Sequence, residues 1–309
     1  MAYCQSNVLV PLTMSETNRC TVFNDTYLKE GSRDNMLFNQ VIAVTQFFAS
    51  TYLCLAVGVY ELRNRKRSRT ARVNQLSFLA TVLSLMYSVK LIVELLGPAL
   101  SVQGCNALNF FGAACFVLVD FLLYTILWAR QLKFYADPLL RQSLNKCTRF
   151  FSHAVIFLIY VSLSALVFIF QLTYCMMSTK IGCLIVWDTN TIRSFVVQSV
   201  VTFIALCFIC QMLLFLLITS PLVTIERTTC FFKLSWKSDQ EIHVMIRRLA
   251  ICTCACVLTT LLMCIFVLFD AFGVICSYWI NWIGVDMLFN NLAVIVSFVD
   301  WKVRLFPFF

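Results

Sequence analysis

The chain has 309 residues, 61% of them hydrophobic and only 13% charged, with a mean hydropathy of +0.84 and a formal net charge of +9. A water-soluble fold of this length could not cover so much apolar surface with polar groups, so the composition excludes one and leaves a polytopic membrane protein. The positive balance does not call for a nucleic-acid partner, because basic loops lying against anionic lipid account for it.

Residues 1–35 are polar and contain no basic stretch followed by a long apolar one, so the first span is expected to serve as its own signal anchor. Asn24-Asp25-Thr26 is a sequon, which makes Asn24 a candidate glycosylation site if this segment lies outside the cell. Hydropathy then divides the chain into seven apolar spans, at 36–60, 76–100, 105–132, 153–175, 192–223, 248–272 and 282–300. The expected fold is therefore all-α: one seven-transmembrane-helix bundle over 36–300, preceded by an external segment and followed by a short tail, 301–309. Eighteen of the 24 Lys and Arg residues fall in the first, third and fifth loops and the tail, against five on the opposite side. Because these loops are short, the charge asymmetry places the N-terminus outside and the C-terminus in the cytoplasm.

The first loop, Arg63-Asn64-Arg65-Lys66-Arg67-Ser68-Arg69, is the densest charge run. It reads first as a solvated loop held against anionic lipid and second as a contact for a cytoplasmic partner. The second span holds Lys90 and Glu94 one helical turn apart on one face. Either they neutralise each other with no further role, or they mark a ligand contact in the outer half of the bundle. The third span, Cys105 to Arg130, is apolar apart from Asn106, Asn109, Asp120 and Arg130, and small residues at Gly112, Ala113 and Ala114 suit close helix packing. It reads as the central helix, with Asp120 turned to the bundle interior. Arg130 closes it, either snorkelling to lipid phosphate or making a contact that switches with conformation.

Most of the 16 cysteines lie inside spans, where they act as small apolar residues. Cys252, Cys254 and Cys256 alternate around a helix, so their sulfurs cannot converge on a metal. Cys4, Cys20, Cys105, Cys175, Cys183 and Cys276 fall on the external side, which permits disulfides of undetermined connectivity. The seventh span carries Asp286, Asn290 and Asn291 on roughly one inward face. If the bundle resembles a seven-helix receptor, in which the second and seventh helices are neighbours, Lys90 could meet either acid, Glu94 or Asp286. The tail, with Trp301, Phe306, Phe308 and Phe309 beside Lys302 and Arg304, reads as an interfacial anchor too short for a helix.

Positive signals for catalysis are missing. The two histidines, His153 and His243, stand alone near helix ends, and no metalloprotease motif, phosphate-binding glycine loop or nucleophile elbow occurs. The expectation is a protein that is not an enzyme and takes no cofactor or metal.

Seven spans, an external N-terminus with a sequon and a third span that opens on Cys105 and closes on Arg130 resemble the G-protein-coupled receptor superfamily. Asp137-Pro138 in the following loop is similar too, whereas Asn290-Asn291-Leu292 has no proline where that family's seventh-helix motif has one. The resemblance implies a disulfide from Cys105 to the second external loop, to Cys183 or Cys175, with Cys183 the better placed because Cys175 ends the fourth span. It also implies a cell-surface receptor in the plasma membrane, an extracellular ligand and a heterotrimeric G protein as cytoplasmic partner. Candidate ligand contacts are Lys90, Glu94, Asn109, Asp286 and Asn290; candidate coupling residues are Arg130, Asp137, Pro138, Arg247 and Arg248. Two other readings stand beside it. A seven-span chemosensory-type channel would have its N-terminus inside, and a small transporter or lipid-handling protein would line a path with Lys90, Asp120 and Asp286.

Overall fold

The computed structural model describes residues 31–64, 71–96, 101–135, 146–179, 182–187, 236–271, 279–298 and 300–308, with a few single helical positions between 198 and 217. Asn24, Asp137 and Pro138 lie outside the described residues, as does most of the expected span at 192–223. In chain order the elements are α1 (Gly31–Asn64), α2 (Ala71–Leu96), α3 (Val102–Tyr135), α4 (Lys146–Thr173), β1 (Tyr174–Thr179), β2 (Gly182–Trp187), α5 (Trp236–Ala271), α6 (Trp279–Val296) and α7 (Trp301–Leu305). None of the 5 prolines falls inside any of them, so no helix loses a backbone hydrogen bond to a pyrrolidine ring.

Three helices contain stretches long and apolar enough to cross a membrane: Gln40–Asn64 in α1, Val73–Glu94 in α2 and Gln103–Leu132 in α3. Shorter apolar runs occupy Phe150–Ala165 in α4 and Trp282–Val296 in α6. Several elements overrun their hydropathy boundaries. Helix α1 begins at Gly31, inside the segment expected to precede the first span, and at 34 residues it is about 50 Å long, well beyond a hydrocarbon core of about 30 Å.

Short connections make sequence neighbours antiparallel neighbours in space. Thus α1 packs on α2, α2 on α3, α4 on α3 and α5 on α6. Helix α6 also touches α1, α2 and α3. The centre is therefore shared: α3, expected to be the middle of the bundle, faces α6 across it. Val119, Leu123, Ile126 and Leu127 of α3 pack with Ala80, Tyr87 and Leu91 of α2, Ile159 and Leu163 of α4, and Met287 and Val294 of α6.

Around that core the polarity is inverted relative to a soluble protein. Phe48, Phe110, Phe157, Phe168 and Ile251 point outward, exposed by half or more, while Gln46, Lys90, Glu94, Asp120, Arg130 and Asp286 are all buried. Water would reject such an exterior, and hydrocarbon accepts it. Many interior hydroxyls bond back to their own helix: Thr51 donates to the Phe47 carbonyl at 2.7 Å, Ser88 to Ser84 at 2.9 Å, Ser162 to Leu158 at 2.7 Å and Thr253 to Leu249 at 2.8 Å. Cross-helix bonds are fewer. Ser50 on α1 meets Ser88 on α2 at 3.0 Å, and Thr125 on α3 meets Tyr160 on α4.

Two regions depart from the expected architecture. The fourth span was expected to run to 175 and lead into a loop; α4 instead ends at Thr173, and residues 174–187 form an antiparallel hairpin with Thr179 opposite Gly182 and Tyr174 opposite Trp187. Residues such as Tyr174, Thr179, Ile185, Val186 and Trp187 favour a pleated backbone, and pairing the strands satisfies backbone groups beyond the end of the helix. The hairpin lies at the Cys105 end of the bundle, β1 beside α3 and β2 beside α2. At the opposite end the tail is not a loose interfacial anchor. Trp301–Leu305 forms one helical turn folded back against α1 and α6, with Arg304 and Leu305 buried.

Candidate functional site

The buried polar groups form three clusters along the bundle, one at each end and one between. At the hairpin end, the Lys90 ammonium lies 2.5 Å from a Glu94 carboxylate oxygen, with both side chains almost wholly buried. The lysine stem runs past Gly112 on α3, where an added Cβ would sit 3.0 Å from Cε and 3.4 Å from Nζ. A side chain there would make the lysine stem give by a few tenths of an ångström. The second Glu94 oxygen is buried with no hydrogen-bond partner among the described residues. Lys90 takes Glu94 and not Asp286, which removes the second of the two pairings open in the sequence. Asn109, one of the candidate ligand contacts, is buried on the same side of α3 as Cys105, one helical turn away.

Cys105 is disulfide-bonded. The side chains of Cys175 and Cys183 lie outside the described residues, but their backbone positions bear on the choice. Cys175 is in β1 and not at a helix end, so the reason for preferring Cys183 no longer holds. In the hairpin register Cys175 is opposite Val186 and Cys183 opposite Ser178, which puts positions 175 and 183 on opposite faces of the ribbon.

In the middle of the bundle, Asp286 on α6 accepts from the Asn290 amide at 3.1 Å and from the Thr260 hydroxyl of α5 at 3.4 Å. Thr259 donates to the Asn290 carbonyl oxygen at 3.0 Å. The four-residue spacing of Asp286 and Asn290 does put them on one face, as their sequence implied, and α5 supplies the hydroxyls. Asp120 on α3 is buried near enough to interact electrostatically with Asp286. Asn291, the third polar residue of α6, bonds its own helix at the Met287 carbonyl, 2.9 Å.

At the far end, Arg130 is buried and does not snorkel toward lipid. One guanidinium nitrogen donates to the Ser297 hydroxyl and the other to the Ser297 carbonyl at 2.8 Å, and the group lies 4.2 Å from the Phe298 ring centre. Arg304 lies over the same ring at 3.7 Å, and donates to Asp300 and to Asn74 of α2, each at 2.8 Å. Tyr60 of α1 donates to the other Asp300 oxygen. Asp300 stands past the end of α6, outside the membrane-crossing stretches. Burial pushes its carboxyl up, but the hydrogen bonds from Arg304 and Tyr60, with the Arg304 charge, outweigh that and hold it below the usual carboxylate range. Arg247 and Arg248, the other coupling candidates described, are exposed on α5.

Asn74, Ser297, Phe298, Asp300 and Arg304 were missed as a set. The four-residue spacing of Asp300 and Arg304 was a readable signal for a helical ion pair. Nothing in the sequence marked Asn74, which meets Arg304 only through the chain's return.

No protein-family model matches the chain, and no curated protein matches it in sequence.

Proposed function

We propose that this is a cell-surface receptor of the G-protein-coupled type, seven-spanning with its N-terminus outside, that passes an extracellular ligand signal to a cytoplasmic partner. The observation that carries this reading is the placement of polar clusters at opposite ends of α3. Near Cys105, beneath the hairpin, the Lys90–Glu94 pair leaves one carboxylate oxygen without a partner among the described residues, which suits a hydrogen-bond donor on a ligand. At the other end Arg130 grips the turn that follows α6. A ligand that displaced α3 at the Lys90 end would move Arg130 against the turn after α6, as a transition between two packings requires. Glycosylation at Asn24, a Cys105–Cys183 bond and plasma-membrane residence belong to the same proposal.

Epitope tags at both termini, read on intact and permeabilised cells, test the orientation. Second-messenger responses to a ligand library, wild type against Arg130→Lys, test the signalling. The lysine keeps the charge but loses the planar fork that reaches both Ser297 acceptors. Full signalling by that variant at normal surface level would refute the coupling role.

A small transporter is the second reading, favoured by one observation: Asp120 and Asp286 face each other in mid-bundle, where two acids are costly unless they serve a path. Uptake into reconstituted vesicles that is lost in Asp286→Asn would favour it over the receptor.

A further inference from the structure

We propose that the C-terminal segment is a latch that keeps Arg130 capped, with Phe298 and the Ser297 carbonyl as the cap and Arg304 as the catch. Both hydrogen-bond partners of Arg130 come from Ser297, in the turn after α6, and its ring partner is the next residue. That turn is not fixed by α6 alone. Arg304 holds it from below, stacked on Phe298 and tied to Asp300 and Asn74. The tail is then tethered along α1: Tyr52 donates to the Leu305 carbonyl and Arg63 to the Pro307 carbonyl, each at 2.6 Å.

The arrangement carries its own tendency to open. Two guanidinium groups lie over one phenyl ring and repel each other, and Asp300 is the carboxylate that reaches either of them among the described residues. One further Arg304 nitrogen is buried with no hydrogen-bond partner among the described residues. Arg304 therefore stays beside Arg130 only while Asn74, Asp300 and the α1 tethers hold it. Arg63, the outermost tether, is exposed at the end of α1, so an approaching surface can compete for it. Once the tail leaves, Arg130 loses its cap and faces the mouth of the bundle as a free planar fork, suited to a carboxylate-rich segment of a partner. The latch is a statement about the fold; its regulatory meaning rests on the coupling role proposed for Arg130 above.

The test uses the full chain in phosphatidylcholine nanodiscs. Phenylglyoxal labelling of Arg130, read by mass spectrometry, reports the cap, and hydrogen exchange over 297–308 reports the tail. Wild type should keep Arg130 protected and the Arg304 and Phe306 amides slow, since both bond within the helical turn. Asn74→Ala should speed both readouts by about tenfold or more, the change expected for losing one hydrogen bond to a charged group. The double variant Tyr52→Phe/Arg63→Ala alters only exposed or part-exposed side chains and should move both readouts in the same direction even if Asn74→Ala does not fold. Faster tail exchange with Arg130 still protected in both variants would overturn the latch, as would a wild-type tail that exchanges like an unstructured peptide. Neither readout needs a ligand. An opened latch with unchanged basal second-messenger output would overturn the coupling role of Arg130 and leave the latch standing.

Discussion

Replacing Lys90 by methionine tests the hairpin-end cluster most directly. The substitution preserves length and an apolar stem, so it removes the charge with little change of volume. What remains is a Glu94 side chain 6% exposed whose one partnered oxygen has lost its partner and whose other oxygen had none among the described residues. Breaking a buried pair from one side costs about 3–5 kcal/mol, whereas replacing both partners is often nearly neutral. Lys90→Met should therefore destabilise the bundle by that amount, roughly two to three and a half orders of magnitude in a folding equilibrium at tenfold per 1.4 kcal/mol. Lys90→Met/Glu94→Gln should recover most of it. Asp286→Asn should not rescue Lys90→Met, because Asp286 is engaged with Thr260 and Asn290. Surface expression and thermal inactivation of purified protein, measured for the wild type and the three variants, give the comparison. Normal expression and melting of the single Lys90→Met variant, or rescue by Asp286→Asn, would refute the reasoning.

Three further outcomes follow from the same geometry. Gly112→Ala should cost about 1–3 kcal/mol by crowding the Lys90 stem, and the cost should shrink in the Lys90→Met/Glu94→Gln background, as read by thermal melting. Cys105→Ser should lower stability by about 2–4 kcal/mol, and non-reducing peptide mapping of the wild type should find one link, to Cys183 or to Cys175, since the register sets those positions on opposite faces. Because the Asp300 carboxyl is held below its unfolded value of about 3.9, its contribution to stability is present above that pH and is lost as pH falls through the depressed folded value. Melting temperatures at pH 5 and pH 3 should therefore differ more in the wild type than in Asp300→Asn.

Local spacing was legible and long return paths were not. The four-residue intervals of Lys90–Glu94 and Asp286–Asn290 fixed shared helix faces, and the structure keeps both. The apolar run from Cys105 to Arg130 announced α3 to within a few residues of Val102–Tyr135. The hairpin was hidden because Met176, Met177, Leu184 and Ile185 raise hydropathy without indicating a helix or a strand, and a short apolar run fits either. Arg130 was placed correctly at a helix end, but its inward turn depends on Ser297, 167 residues away. Likewise Arg304 is buried by Asn74, 230 residues away, and no window of sequence contains that contact.

The interior hydroxyls sort into two populations with different mechanical meaning. Those bonded to their own helix, such as Thr51, Ser162 and Thr253, travel with it and place no restraint on sliding or rotation. Restraint is concentrated in a handful of cross-helix rivets: Ser50 to Ser88, Thr125 to Tyr160, Thr259 to Asn290 and Arg130 to Ser297. Helix α6 is tied to α5 through Asn290 and Asp286 and, just past its end, to α3 through Ser297. Sliding of α6 along its axis must therefore break ties to two neighbours at once.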